Sequence, residues 1–390
     1  MPKAACEGTR MSILSEFRIP GDENKKLGFG CMRLPLLPGS ENEVDLSAFE
    51  KMVDAYLEAG FCYFDTAKVY LAENSEKALR DALVARYPRD RYFFTDKLSG
   101  SQFATREDIR PLFARQLENT GLSYFDLYLM HSQSASVYER FMSLGAYEEV
   151  MALKKEGKLR HFGISFHDTP EVLERILSQH PEIEVVQIQL NYLDYDSPSI
   201  RSGEVYGVCE KFHKPVLVME PVKGGVLASL PAEGERLLEG MPGGPAGTAL
   251  RYAASFPNVV MVLSGMSTPE QMEDNIRTMS DFTPLEPGDY EILSRCAEII
   301  RKENAVPCTG CRYCVAGCPK KIRIPDLFAV YNTKRRYADW GSDFYYTVHT
   351  AAPNGSPEDC IRCRKCEKIC PQHLKITELL PTVAEAFTQK

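Results

Sequence analysis

FCYFDTAKVY, residues 61–70, reads as a short apolar strand that ends on an acid, with a tyrosine following five residues after it. Phe61–Phe64 are aromatic and apolar, Asp65 marks where the run stops, and Tyr70 closes the stretch. The same unit recurs outward in both directions. Runs at Leu27–Met32, Tyr92–Lys97, Asp126–Met130, His161–Ser165, Val185–Ile188, Val216–Glu220 and Val259–Leu263 each predict a strand. Amphipathic stretches between them, such as Leu46–Ala59, Asn74–Ala85, Arg106–Thr120 and Pro269–Met279, predict helices. Eight strand–helix repeats over about 255 residues are the arithmetic of a (β/α)8 TIM barrel, fold class α/β. A doubly wound open sheet is the alternative, but no G-x-G-x-x-G follows the first strand.

In such a barrel the chemistry gathers at the C-terminal ends of the strands. The second strand ends at Asp65 with Tyr70 just beyond, the third at Asp96-Lys97 and the fourth at Met130-His131. Three successive strands thus bring Asp65, Tyr70, Lys97 and His131 to one rim. A tyrosine donates a proton to a carbonyl oxygen as hydride arrives at carbon. A free phenol, with a pKa of about 10, is a weak acid for that purpose, and a neighbouring ammonium lowers the value by stabilising phenolate. A buried lysine needs a partner, which Asp65 supplies. His131 orients the carbonyl or relays a proton. Singly, Asp65 reads as a helix cap and Lys97 as a surface charge; four such residues at consecutive strand ends predict a site.

The chain has thirteen cysteines, of which Cys6, Cys31, Cys62, Cys209 and Cys296 are scattered. The others form two identical runs, Cys308, Cys311, Cys314, Cys318 before Pro319 and Cys360, Cys363, Cys366, Cys370 before Pro371. Each reads C-x2-C-x2-C-x3-C-P, the spacing of bacterial two-cluster ferredoxins, in which the fourth cysteine of each run ligates the other cluster. This assigns Cys308, Cys311, Cys314 and Cys370 to one [4Fe–4S] cluster, and Cys360, Cys363, Cys366 and Cys318 to the second. Structural zinc shows paired knuckles without a third cysteine and a proline in fixed register. Disulfides fit poorly with MPKAACEGTR, a start without the apolar core of an export signal. A reducing cytoplasm is the expected compartment.

Composition narrows the rest. Hydrophobic content of 44% and charged content of 26% describe a globular chain, and 390 residues allow a large domain and a small one. No run approaches the ~18 unbroken apolar residues of a membrane span. A net charge of −8 argues against nucleic acid and anionic membrane as partners. From Cys308 to Cys370, however, eleven basic residues face six acidic ones. That excess either compensates the clusters' charge or forms a docking face for an acidic electron carrier, a ferredoxin or flavodoxin.

Residues Leu27 to Met279 resemble the aldo-keto reductase family. The likeness is carried by FDTAKVY (Asp65, Tyr70), TDK (Lys97), LYLMH (His131), GIS (Gly163–Ser165), VVQIQLNY (Gln187, Asn191), EPVKGG (Glu220–Gly225) and LSGMSTPEQMEDN (Leu263–Asn275). The whole chain resembles a branch of that family with a C-terminal two-cluster domain. The resemblance implies a (β/α)8 barrel over 16–285 after a tail at 1–15, and a small α+β ferredoxin-like unit over 286–390. The boundary is marked by Thr283–Gly288 and by a helix near Asp289–Glu303. It also implies carbonyl reduction with NADPH, and a tetrad of Asp65, Tyr70, Lys97 and His131. Cofactor contacts fall on Gly30, Met32, Ser165, Gln187, Met219, Pro221, Lys223, Gly225, Gly265, Gln271 and Asn275.

The departures from the family pattern are as informative. The Lys and Arg that usually clamp the 2′-phosphate are replaced by Gly265 and Gln271, the carboxamide Asn by Phe166, and the ring-stacking Tyr by Met219. NADP(H) or NAD(H) with weak discrimination is therefore expected, Lys223 and the glycines beside it offering a charge and backbone amides to a phosphate. Nicotinamide moves hydride whereas each cubane moves one electron, so three accounts stand. The first is a carbonyl reductase acting on a small molecule, with structural or regulatory clusters. The second is a flavin- (FMN) or ferredoxin-linked enzyme whose clusters feed single electrons to the barrel, and the third an electron carrier on a vestigial barrel. The 41 residues between Cys318 and Cys360 hold Trp340, Phe344, Tyr345, Tyr346 and His349, read as packing against the barrel or as a lid over it.

Overall fold

The computed structural model describes residues 17–388 except 198, 199, 303, 304, 309, 311, 338, 339 and 371. The expected tail and Cys311 lie outside the described residues. Eight parallel strands close into a barrel in chain order, β8 pairing back onto β1. They are β1 (Leu27–Gly30), β2 (Tyr63–Asp65), β3 (Phe93–Leu98), β4 (Phe125–Gln133), β5 (Leu159–Phe166), β6 (Val185–Gln189), β7 (Val216–Met219) and β8 (Val259–Ser264). Each overlaps the strand read from sequence.

The period of two along each strand sorts the side chains. Tyr63, Phe93, Leu127, Leu129, Val185, Leu217, Met261 and Leu263 fill the barrel interior, with Phe17 against its lower end. Their neighbours Phe64, Phe94, Tyr128, Val186, Val218 and Val262 point outward and pack beneath the helices. Both faces are buried, which is why the strands read as nearly continuous apolar runs. Gly163 is set by interior crowding: a Cβ there would lie 2.5 Å from the Val185 carbonyl oxygen.

The helix Pro287–Lys302 contributes Leu293, Cys296, Ala297 and Ile300 to the barrel's own cluster. The sequence reading had put it in the C-terminal unit. Beyond it lie the helices Tyr313–Ala316, Ile324–Tyr337, Trp340–Thr350, Lys365–Ile369 and Ile376–Thr388. They enclose a second, smaller core of Val306, Ile322, Ile324, Leu327, Phe328, Ile376, Leu380 and Val383. Among the described residues this unit has no strand, only an isolated parallel bridge from Ile322 to Gly355, where an α+β module was expected. The long connection between the cysteine runs folds into helices instead. Buried Asp326 ties the unit together, accepting from Arg312 at 2.7 and 3.1 Å and from Arg323 at 3.0 Å. Among the described residues no helix is long and apolar enough to cross a membrane.

Candidate functional site

Going up the barrel, the inward-facing positions turn from apolar to polar. Continuing the same parity from Tyr63, Phe93, Leu129, Gly163, Val185 and Leu217 reaches Asp65, Lys97, His131, Ser165, Gln187 and Met219. One layer of the interior thus collects polar residues from five strands, with Met219 of the sixth beside them. Tyr70 comes from outside the strands, on the turn Tyr70–Glu73, whose Leu71, Ala72 and Glu73 are left-handed with φ of 49°, 50° and 72°. Such backbone costs about 1–3 kcal/mol per residue and persists only when its surroundings hold it. Ser75 does part of that holding, bonding Thr66 Oγ1 and the Cys31 carbonyl, both at 2.8 Å. Buried Lys68 adds an ion pair to Glu73 at 2.7 Å.

Lys97, 1% exposed, is the centre of the layer. Its Nζ donates to Asp65 Oδ1 at 2.5 Å, to the Thr66 carbonyl at 2.7 Å and to Tyr70 Oη at 3.3 Å. Asp65 Oδ2 accepts from Gln187 Nε2 at 3.0 Å. Burial by itself lowers the Lys97 pKa, but the Asp65 carboxylate and Tyr70 outweigh it and the net shift is upward, so the ammonium is secure. Tyr70 departs from the expectation that its neighbour lowers its pKa. Burial raises it by more than Lys97 lowers it, and the phenol stays above its ordinary value. His131 is held well below the usual imidazole range by burial and then by Lys97, so it is neutral. Its Nδ1 lies 2.6 Å from Ser99 Oγ, and its ring meets that of Tyr70 edge-on at 5.9 Å. Behind Lys97, Gln116 bonds Asp96, Glu76 and the Lys97 carbonyl at 3.0, 3.3 and 3.1 Å, which fixes the backbone that carries the lysine.

A cavity of about 560 Å³ opens over this layer. Asp65, Tyr70 and His131 line it, with Lys97 directly beneath. Of the expected cofactor contacts, Gly30, Met32, Ser165, Gln187, Met219, Pro221, Gly225, Gly265, Gln271 and Asn275 also line it. Lys223 does not. It is buried, bonds both Asp194 oxygens at 2.7 and 2.8 Å, and borders a second cavity of about 440 Å³ between the rim and the C-terminal unit. In this arrangement Lys223 stands outside the first cavity, where it was expected to offer a charge to a phosphate. Phe166 points outward into the core at 2% exposure, so no side chain from that position reaches the cavity.

Among the lining residues, His167 and Arg33 do not figure in the sequence reading. His167 was legible, being the next inward position after Ser165. Arg33 follows β1 and lies beside Gly265, whose built Cβ would fall 3.6 Å from Arg33 Cβ, and no local signal marks it. Phe344, from the stretch read as packing against the barrel or as a lid, also lines the cavity.

The cysteines gather around two small cavities. Cys308, Cys314 and Cys370 line one with Ile324, Phe328 and Leu374. Cys318, Cys360, Cys363 and Cys366 line the other with Ile322, Ile324 and Leu380. In each, the fourth cysteine of one run sits with the first cysteines of the other, and apolar walls complete the enclosure. Thiols crossed over in this way fit a polynuclear iron–sulfur group. Among the described residues, no cysteine is disulfide-bonded.

A closed parallel barrel with a lysine, carboxylate and tyrosine at its C-terminal rim defines an oxidoreductase class. Residues 26–298 match the Aldo/keto reductase family, and the chain belongs to that family. Residues 307–374 match the 4Fe-4S dicluster domain, so an iron–sulfur unit follows the barrel. An aldo-keto reductase of Mycolicibacterium paratuberculosis is 28% identical over 285 residues, covering 70% of this chain and 86% of that protein. The NADH-specific methylglyoxal reductase of Escherichia coli is 24% identical over 331 residues, covering 71% and 96%. Among solved structures, the holo form of an aldo-keto reductase from Bacillus halodurans aligns with a TM-score of 0.57 at 25% identity, over 70% of this chain and 91% of that one. One from Klebsiella pneumoniae in complex with NADPH aligns with a TM-score of 0.55 at 18% identity, over 69% and 90%, a likeness of fold.

Proposed function

We propose that this protein is an iron–sulfur carbonyl reductase in which Tyr70 is the proton donor to a small-molecule substrate. The observation that carries the reading is the Lys97 ammonium, held 2.5 Å from Asp65 and 3.3 Å from Tyr70 Oη beneath an open cavity. Ser165 and Gln187, which line the cavity, would hold a reduced nicotinamide there, and when bound it would supply the hydride for the carbonyl carbon. Tyr70 gives its proton to the carbonyl oxygen as the C–H bond forms, which yields the alcohol. The phenolate left behind is stabilised by Lys97 and regains a proton from water. Burial keeps the phenol protonated but makes it a weaker acid, and the ammonium offsets this by acting on the charge that develops. Neutral His131 is placed to hold the carbonyl oxygen.

Either nicotinamide fits this cavity. Gly265 and Gln271 bring no charge to a 2′-phosphate, and Arg33 is the cation that lies beside them. One relative is NADH-specific and one structural neighbour holds NADPH, so weak discrimination is the reading for this chain.

The cysteine cavities support two [4Fe–4S] clusters. One would be held by Cys308, Cys311, Cys314 and Cys370, the other by Cys360, Cys363, Cys366 and Cys318; when bound, each supplies or stores one electron. Ile361, which lines the second cysteine cavity, is 59% exposed, and Ile369, next to Cys370, is 53% exposed. Arg362, Arg364, Lys365 and Lys368 are exposed around them. An exposed stretch that combines apolar and basic side chains suits an acidic one-electron carrier. A second reading, in which the clusters feed electrons to the barrel, is favoured by one feature: Cys308 borders the 440 Å³ cavity, which shares Glu220 with the reductase cavity.

The test is Tyr70→Phe in anaerobically purified, iron-replete protein. Turnover of carbonyl with nicotinamide should fall at least ~100-fold while nicotinamide affinity holds within about threefold. Near-normal turnover would remove Tyr70 from the mechanism.

A further inference from the structure

The helix Trp340–Thr350 belongs to the cysteine-bearing unit, yet its side chains reach the reductase cavity. The Phe344 ring lines that cavity and meets the His167 ring edge-on at 5.0 Å. The next residue, Tyr345, is buried and borders the neighbouring 440 Å³ cavity. Two consecutive aromatic residues thus form the partition between the two spaces.

Tyr345 is wired to the barrel rim through a hydrogen-bond chain whose direction can be worked out. Lys223 donates to Asp194, and Gln189 Nε2 donates to Asp194 Oδ2 at 2.7 Å. That fixes Gln189 Oε1 as the acceptor of the Tyr345 hydroxyl proton. A hydroxyl has one proton, so the 3.0 Å contact between His167 Nδ1 and Tyr345 Oη is donated by Nδ1. His167 Nε2 therefore keeps its lone pair. The ring is neutral, since burial and then Lys97 push its pKa down to about 4.

The other side of the helix is fastened to the iron–sulfur frame. Lys334 Nζ pairs with Asp343 at 2.5 Å, and Tyr346 stacks on Phe387 at 4.2 Å and 10°. The segment after it returns to the cysteine frame through the Ile322–Gly355 bridge. Gly355 is pressed so closely there that a Cβ would fall 2.1 Å from the Lys320 carbonyl oxygen.

We propose that the iron–sulfur unit supplies the substrate-side wall of the reductase cavity, with Phe344 selecting carbonyl compounds that carry a flat, apolar group and Tyr345 acting as the positioning residue that holds it. Val69, 36% exposed, lines the same cavity next to Tyr70 and adds a second apolar surface for such a group. The proposal rests on the carbonyl-reductase reading for the reacting group alone; the wall itself is independent of turnover.

The experiment uses anaerobic, iron-replete protein and 4-nitroacetophenone, a flat ketone followed by its absorbance. Equilibrium dialysis should give an affinity that Phe344→Ala weakens about tenfold and Phe344→Leu weakens less. Where the enzyme turns over, Phe344→Ala should raise KM for the aromatic ketone by the same factor. KM for propanal, which carries no flat group, should rise less. Tyr345→Phe should raise amide exchange across 340–350 about tenfold and raise KM in the same direction. Iron content shows that each variant keeps its second domain. Unchanged ketone affinity in both Phe344 variants, equal losses for ketone and propanal, or no ketone binding by the unaltered protein would overturn the proposal. Phe344-dependent binding without reduction would instead sink the reductase reading and leave the wall standing.

Discussion

The barrel rim and the iron–sulfur unit solve the burial of reactive groups in opposite ways. At the rim, Lys97 is buried among three acceptors, Asp65, the Thr66 carbonyl and Tyr70, all supplied by neighbouring chain and carried on a large apolar core. The charge is neutralised by the protein itself, so the site is organised before any ligand arrives. In the C-terminal unit, thiols from two runs of sequence surround cavities beside a much smaller core. A core of that size contributes little folding energy, and metal binding supplies what is missing in small domains of this kind. The barrel is preorganised for chemistry, whereas the unit behind it is expected to depend on the groups it binds.

Removing the iron presses hardest on this contrast. Anaerobic chelation should raise amide exchange at least ~100-fold across 305–374, where metal binding is coupled to folding. Exchange in β1–β8 should change little. Hydrogen exchange read by mass spectrometry decides it, and equal protection with and without iron would show that the small core suffices.

A smaller effect sharpens the barrel side. Arg33→Ala should weaken NADPH binding by about 10–100-fold, the worth of one charge-assisted hydrogen bond, and leave NADH within about twofold. Equal losses for both would mean that Arg33 does not meet the 2′-phosphate.

The smallest effect is on pH. His349, 3% exposed in the C-terminal unit, has no hydrogen-bond partner for either ring nitrogen among the described residues, and burial lowers its pKa to about 4. Asp326 pulls the value up while Arg323 and Arg312 push it down, without reversing the shift. The unfolded chain takes up its proton near pH 6.5, so between about 6.5 and about 4 the unfolded state binds more protons. Stability is therefore intact above 6.5 and falls as pH falls through that window. At pH 5 the loss is about 2 kcal/mol. His349→Phe should flatten the decline in Tm from pH 7 to pH 5; an unchanged slope would assign the acid sensitivity elsewhere.

Much of this molecule was legible in one dimension. The eight strands follow from apolar runs, and the rim residues Asp65, Lys97 and His131 follow from where those runs end, because a strand's period and stopping point are local properties. His167 lay within reach of the same parity. The pairing of cysteine runs was legible because a cubane demands a fixed spacing. The helix Pro287–Lys302 was found but placed in the wrong company, since which core an amphipathic face covers depends on residues far away in the chain. Strands were expected in the C-terminal unit by analogy, and the described residues show helices.

Period, spacing and composition by themselves determined the barrel, the polar layer at its rim and the two cysteine runs. Only the tertiary structure decided that Lys223 pairs with Asp194 outside the first cavity, that burial outweighs Lys97 in setting the Tyr70 pKa, and that Arg33 lies beside Gly265. It also put Phe344 of the iron–sulfur unit in the reductase cavity, where the sequence had left packing or a lid open. Each of these depends on the distance and desolvation between groups from separate segments, and packing sets both.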